Sequence, residues 1–74
     1  MNTPKQIRFP LNGDFIELFK LLKIVNIASS GGEAKQLVEE GLVKLNGEVE
    51  LRKRAKIRPG DKIETQDHLI HVEP

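Results

Sequence analysis

Six of the twelve basic residues in this 74-residue chain fall between positions 44 and 58: Lys44, Arg52, Lys53, Arg54, Lys56 and Arg58. Only Glu48 and Glu50 oppose them there, for a local charge of +4. Residues 1–43 balance five basic with five acidic side chains, and residues 59–74 carry −3. The net charge of +1 therefore conceals a cationic strip beside an acidic tail. The strip is rich in arginine, whose planar fork matches phosphate oxygens in pairs. Like charges crowded on one scaffold repel each other, and a polyanion relieves that repulsion. The chemistry these residues offer is neutralisation of a phosphate backbone.

Other candidate groups are weaker. Ser30, Gly31 and Gly32 open a helical pattern, and a bare helix entrance exposes N–H groups that a phosphate can approach. A tight turn beneath a capping serine explains the same residues. The spacing is not that of a nucleotide-binding loop. His68 and His71 lie three apart in an extended segment, so they point to opposite faces and cannot share a metal. The chain has no cysteine, which removes disulfides, thiolate metal sites and thiol nucleophiles. No nucleophile elbow, phosphate-loop lysine or carboxylate pair at helical spacing is present. The sequence predicts no catalysis, no metal and no cofactor. Trp and Tyr are absent, and the three Phe lie in the first nineteen residues, so base-stacking readers of single strands fit less well than recognition of folded RNA by shape and phosphate.

The elements that must carry the strip are short. Ile7, Phe9 and Leu11 alternate as in a strand, confined to a sheet edge by Pro10. Asp14 and Glu17 have capping-pair spacing, and Phe15, Leu18, Phe19, Leu22 and Val25 repeat at helical period, which predicts a helix over 14–25. Asn26 suits the left-handed residue that ends it. A second helix spans 28–41: Ser30 and Glu33 form a capping box, Ala34, Leu37 and Val38 make its apolar stripe, and Gly41 ends it. Asn46-Gly47 predicts a hairpin over 42–51. A two-residue loop sets Leu45 opposite Glu48; a bulged three-residue loop pairs apolar with apolar and is preferred. The strip then continues extended. Alternation sends Leu51, Ala55 and Ile57 to one face and Arg52, Arg54, Lys56 and Arg58 to the other, with Lys53 the exception. Pro59-Gly60 signals a type II turn. A last hairpin turning at Gln66-Asp67 sets Ile63 opposite Ile70, with Val72 on the core side.

The predicted fold class is α+β: two helices packed on a small antiparallel sheet of about four to five short strands. It forms one domain over 1–74, with residues 1–13 as an N-terminal strand or arm. No apolar run is long enough to span a membrane, and the N-terminus lacks a signal segment. A soluble, cytoplasmic monomer is expected.

Residues 29–64, "SSGGEAKQLVEEGLVKLNGEVELRKRAKIRPGDKIE", resemble the S-four RNA-binding domain, also called the alpha-L motif. The family shows a serine, an alanine four residues on, a glycine after the helix, then V-x-V-N-G and G-D-x-I. Here those landmarks are Ser30, Ala34, Gly41, Val43 to Gly47, and Gly60 to Ile63. The nearest likeness is to small free-standing bacterial members, the YbcJ type. The resemblance implies RNA lying across the second helix and the hairpin after it. Carried over residue by residue, it points to Lys35 on the helix, Lys44 and Asn46 on the hairpin, and Arg52, Lys53, Arg54 and Lys56 after it; Arg58 extends the patch. Two departures stand out. Gly31 occupies a position where many members carry a basic residue. Glu17-Leu18-Phe19 replaces the basic residue, Leu and Asp that often open the first helix. The expected partner is structured RNA, ribosomal or tRNA-like, with no small-molecule substrate. The rival reading is a protein-interaction module docking an acidic partner through the same strand.

Overall fold

The computed structural model describes residues 3–74; Met1 and Asn2, at the start of the expected arm, lie outside them. Seven strands and two helices follow in the order β1 (Lys5–Pro10), β2 (Ile16–Glu17), α1 (Leu18–Ile24), α2 (Gly31–Glu39), β3 (Lys44–Leu45), β4 (Glu48–Val49), β5 (Lys56–Ile57), β6 (Lys62–Glu64) and β7 (His68–Glu73). Five strands form a sheet in the order β1-β7-β6-β3-β4, and β2 and β5 form a separate pair. The expected α+β class, two helices on a small sheet, is the one observed. The sheet is mixed rather than wholly antiparallel, because β1 pairs with β7 in parallel. As Pro10 requires, β1 is an edge strand.

Alternation along the strands sorts the two faces. Ile63 opposes Ile70 as predicted, and Ile7 and Phe9 register with Ile70 and Val72. This face packs under the helices. Leu18, Leu21 and Leu22 from α1, Ala34 and Val38 from α2, and Ile57, Ile63 and Ile70 from the strands belong to one core cluster. Each fully buried Leu or Ile contributes about 1.5–3 kcal/mol relative to exposure. The other sheet face carries Gln6, Arg8, His71, Lys62, Glu64 and Lys44, and the His71 ring is bonded to the Gln6 side chain.

Local signals behave as their chemistry dictates. The Ser30 hydroxyl accepts the Glu33 N–H at 3.1 Å. The Glu33 carboxylate reaches back one residue further than a standard box, accepting the Ser29 hydroxyl at 2.8 Å. Asn26 (φ 64) and Gly41 (φ 75) close the two helices in the left-handed region. At the Pro59-Gly60 turn, the Asp61 N–H donates to the Arg58 carbonyl at 3.0 Å.

Three expectations fail where distant contacts decide. The helix predicted over 14–25 begins at Leu18, and Asp14 and Glu17 make no cap. Ile16 and Glu17 instead pair with Ile57 and Lys56. The hairpin takes the two-residue loop, with Leu45 opposite Glu48, rather than the preferred bulge. Asn46 (φ 51) and Gly47 (φ 90) are both left-handed, the requirement of the tight turn that matches strand twist. Apolar pairing is met on the other side of β3, where Leu45 opposes Ile63. Lastly, the strip is not one extended strand. A turn at Lys53-Arg54, closed by the Ala55 N–H on the Arg52 carbonyl at 3.1 Å, leaves Leu51 60% exposed while Ala55 and Ile57 are buried.

Candidate nucleic-acid interface

The loop from Arg52 to Ile57 is held against α1 by its backbone. Helix α1 lacks a side-chain cap, and the first N–H groups of a helix have no partner within it. Leu18 N–H donates to the Ala55 carbonyl at 2.9 Å, and Phe19 N–H donates to the Lys53 carbonyl at 3.0 Å. The basic loop thus caps the first helix, and Ala55 and Ile57 anchor it in the core. Between these anchors, Arg54 and Lys56 stand outward.

The anchoring gathers cations around two aromatic rings. Lys35 Nζ lies 4.8 Å from the Phe19 ring centre, the Arg54 guanidinium carbon 5.2 Å, and Lys20 Nζ 5.9 Å. Lys56 Nζ lies 4.9 Å from the Phe15 ring centre. The negative face of an aromatic ring attracts each of these charges. Glu17 is the counter-ion, 3.1 Å from Lys20 and 3.3 Å from Arg54. The Lys20 hydrogen bond foremost, with that of Arg54, holds its carboxyl below the usual glutamate range despite partial desolvation. Of the four cations gathered here, Lys20 and Arg54 share one carboxylate.

The remaining predicted residues lie elsewhere. The Arg52 guanidinium grips Glu50 with two bonds of 3.0 Å each, and the Arg52 backbone N–H donates a third at 3.0 Å. The Arg52 hydrogen bonds hold the Glu50 carboxyl low, and Glu50 in turn pushes the Arg52 ionisation up. Arg52 lines a recess with Asn46, Glu48, Val49 and Glu50, whereas Arg54 and Lys56 line another with Phe15, Ile16, Glu17 and Lys20. The expected single basic face of Arg52, Arg54, Lys56 and Arg58 is therefore split by the turn that follows Arg52. Lys53 pairs with Glu39 on α2 at 3.6 Å. Lys44 sits opposite Glu64 on the outer sheet face. Arg58 is exposed beyond Ile57 and makes no ion pair among the described residues.

Asn46 serves the scaffold: its amide donates to Asp61 at 3.1 Å and its oxygen accepts the Lys62 N–H at 2.9 Å. At the entrance of α2, which Ser30, Gly31 and Gly32 form, a Cβ on Gly31 would lie 3.8 Å from the Phe19 ring, so Gly31 borders the aromatic cluster, while one on Gly32 would meet only the Ser30 hydroxyl, at 3.9 Å. The Glu33 carboxylate also lies at that entrance.

Sequence reasoning did not find Phe15, Phe19 and Lys20. The departure Glu17-Leu18-Phe19 contained the clue: it introduces the ring and the carboxylate around which the cations arrange themselves. Among the described residues, no group of three or more His, Asp or Glu is placed to hold a metal ion, and no helix is long and apolar enough to cross a membrane.

Comparison with known proteins agrees with this architecture. The S4 domain family model matches residues 9–73. YbcJ of Escherichia coli (strain K12) is 42% identical over 57 residues, covering 77% of this chain and 81% of YbcJ. A YbcJ protein of Shigella flexneri matches to the same extent. The solution structure of E. coli YbcJ, described as revealing an alfaL motif involved in RNA-binding, superposes with a TM-score of 0.73 at 35% identity. That match spans 100% of this chain and 95% of that one.

Proposed function

The chain belongs to the S4 domain family, and from that premise we propose that it is a non-catalytic RNA-binding protein, acting in the cytoplasm as a monomer on structured, ribosomal or tRNA-like RNA. The observation that carries the reading is the set of Lys20, Lys35, Arg54 and Lys56 around Phe15 and Phe19, anchored by the carbonyls that cap α1. Cations held on a fixed scaffold neutralise phosphates in a set geometry and fix the register of the RNA. Arg58, exposed just past Ile57, adds a further charge to the patch. The N–H groups of Gly31 and Gly32 add a phosphate contact at its margin, weakened by the nearby Glu33 carboxylate. Lys44 and Lys53 act from outside the cluster as long-range attraction, whereas Arg52, neutralised by Glu50, adds little unless that pair opens. Asn46 acts by fixing the hairpin. The E. coli relative's motif, described as involved in RNA-binding, supports the same assignment.

The test is the affinity of the protein for a folded ribosomal RNA fragment as a function of salt. Each phosphate contact adds about 1 to the slope of log affinity against log salt. A Lys35→Ala/Arg54→Ala/Lys56→Ala variant is expected to flatten that slope by about 3. An unchanged slope refutes the cluster as the interface. Capture from cells with and without RNase checks the partner class: partners that persist after RNase treatment would favour an acidic protein instead.

A further inference from the structure

Of the three phenylalanines, Phe15 is the one the core does not use. Phe9 and Phe19 pack against the buried cluster, whereas Phe15 is 44% exposed. It is nonetheless firmly placed, because the next residue, Ile16, is paired to the buried Ile57. Its ring lines a recess shared with Lys20, Arg54 and Lys56.

We propose that Phe15 is a stacking platform for an unpaired base, so that the RNA this surface prefers is a stem interrupted by an unpaired nucleotide rather than a continuous duplex. The inference rests on the RNA reading above and narrows it. A phenyl ring offers a base only its face, and stacking of this kind is indifferent to base identity. A base inside a duplex has both faces covered by its neighbours, so only a bulged, looped or terminal nucleotide can use the ring. Phe19 is unsuited to the role, being crowded by Lys20, Lys35 and Arg54 and backed by Gly31. One cation lies over the Phe15 ring, Lys56, on a flexible exposed chain. When that ammonium moves to the phosphate of the incoming nucleotide, the ring face opens to the base. Lys20 and Arg54 then stand beside the phosphates of the flanking stem.

The test uses two RNA stems of equal length, one fully paired and one with a single bulged 2-aminopurine, titrated with wild type, Phe15→Leu, Phe15→Tyr and Arg54→Ala/Lys56→Ala. Wild type is expected to bind the bulged stem about 5- to 100-fold more tightly, the range that one base on an aromatic side chain supports. Quenching of the 2-aminopurine should accompany binding. Phe15→Leu should abolish preference and quenching while keeping the salt slope, and Phe15→Tyr should keep all three. Because Phe15 lies outside the core, matching thermal melts verify that both variants fold. Equal wild-type affinity for the two stems, or a preference that survives Phe15→Leu, overturns the stacking role. The RNA reading still stands in that case if Arg54→Ala/Lys56→Ala flattens the salt slope. Failure of wild type to bind either stem overturns both.

Discussion

The Arg52–Glu50 pair gives the sharpest test of how this surface spends its charge. In the sequence, Arg52 is indistinguishable from Arg54, two basic residues on one strip. In the structure, Arg52 is bonded twice through its guanidinium to Glu50 and turned toward the hairpin recess. As a unit the pair carries no net charge. Replacing Glu50 with Gln unmasks a full positive charge while leaving the side-chain shape nearly unchanged. If that charge reaches RNA, the salt slope steepens by about 1, equivalent to about a fourfold larger loss of affinity between 50 and 200 mM salt. Arg52→Ala exposes the Glu50 carboxylate and should weaken binding at low salt. The double variant, Glu50→Gln/Arg52→Ala, should return to the wild-type slope, because it removes a pair that was already neutral. By contrast, Arg54→Ala/Lys56→Ala should flatten the slope by about 2. Fluorescence anisotropy with a labelled folded RNA over a salt series reads all four. A double variant whose slope is flatter than wild type by about 1 would show that Arg52 contacts phosphate despite Glu50, and the division of the strip into a masked and an open part would be wrong.

Three further outcomes follow from particular bonds. Asn46→Ala loses two side-chain hydrogen bonds and places alanine at φ 51, so a urea melt should report a loss of about 2 kcal/mol. Gly31→Ala meets only ordinary contacts with Phe19 and has no positive φ; it should stabilise the fold by up to about 1 kcal/mol in the same melt while weakening RNA affinity, since the added methyl stands where a phosphate would approach. Stability should also depend on acid pH through Glu17 and Glu50, whose carboxyls are held low by Lys20 with Arg54 and by Arg52. A lowered folded-state value means that the unfolded chain binds more protons. Their contribution to stability is therefore complete well above the ordinary glutamate value and is lost as pH falls through the folded values, and Glu17→Gln/Glu50→Gln should shallow that decline in thermal melts from pH 7 to 3.

What could be read from the sequence was whatever is settled within a few residues. The Ser30 cap, the left-handed Asn26 and Gly41, the Pro59-Gly60 turn and the Ile63–Ile70 register each depend on local chemistry, and each is observed. What escaped depends on partners far along the chain. Asp14 and Glu17 look like a helix start because Ile57 and Lys56, which draw Ile16 and Glu17 into a ladder, are remote in sequence. Residues 42–51 taken alone favour the bulged hairpin, which gives the β3 residues an apolar partner on β4, whereas Ile63 on β6 supplies the partner of Leu45. The strip looked straight because alternation cannot reveal that two of its carbonyls are required at the N-terminus of α1. For the same reason, the place of the phenylalanines in the first nineteen residues does not reveal that Phe15 and Phe19 meet the basic loop.

That cap also separates two accounts of the interface. If RNA responded only to the number of positive charges, their placement would be irrelevant, and Arg54→Lys would be silent. The structure gives the Arg54 guanidinium a particular station, bonded to Glu17 at 3.3 Å and lying over Phe19 at 5.2 Å. Its backbone is held by the Lys53 and Ala55 carbonyls on either side of it. A lysine keeps the charge but loses the planar fork that can serve Glu17 and a phosphate together. The salt slope should stay at the wild-type value, because the number of counterions released is the same. The affinity at any one salt concentration should drop by about tenfold, the worth of one charge-assisted hydrogen bond. Parallel lines offset from each other are the signature of an oriented contact. Superimposed lines would mean that the basic loop acts as a diffuse cloud of charge, and that its anchoring to α1 serves the fold alone.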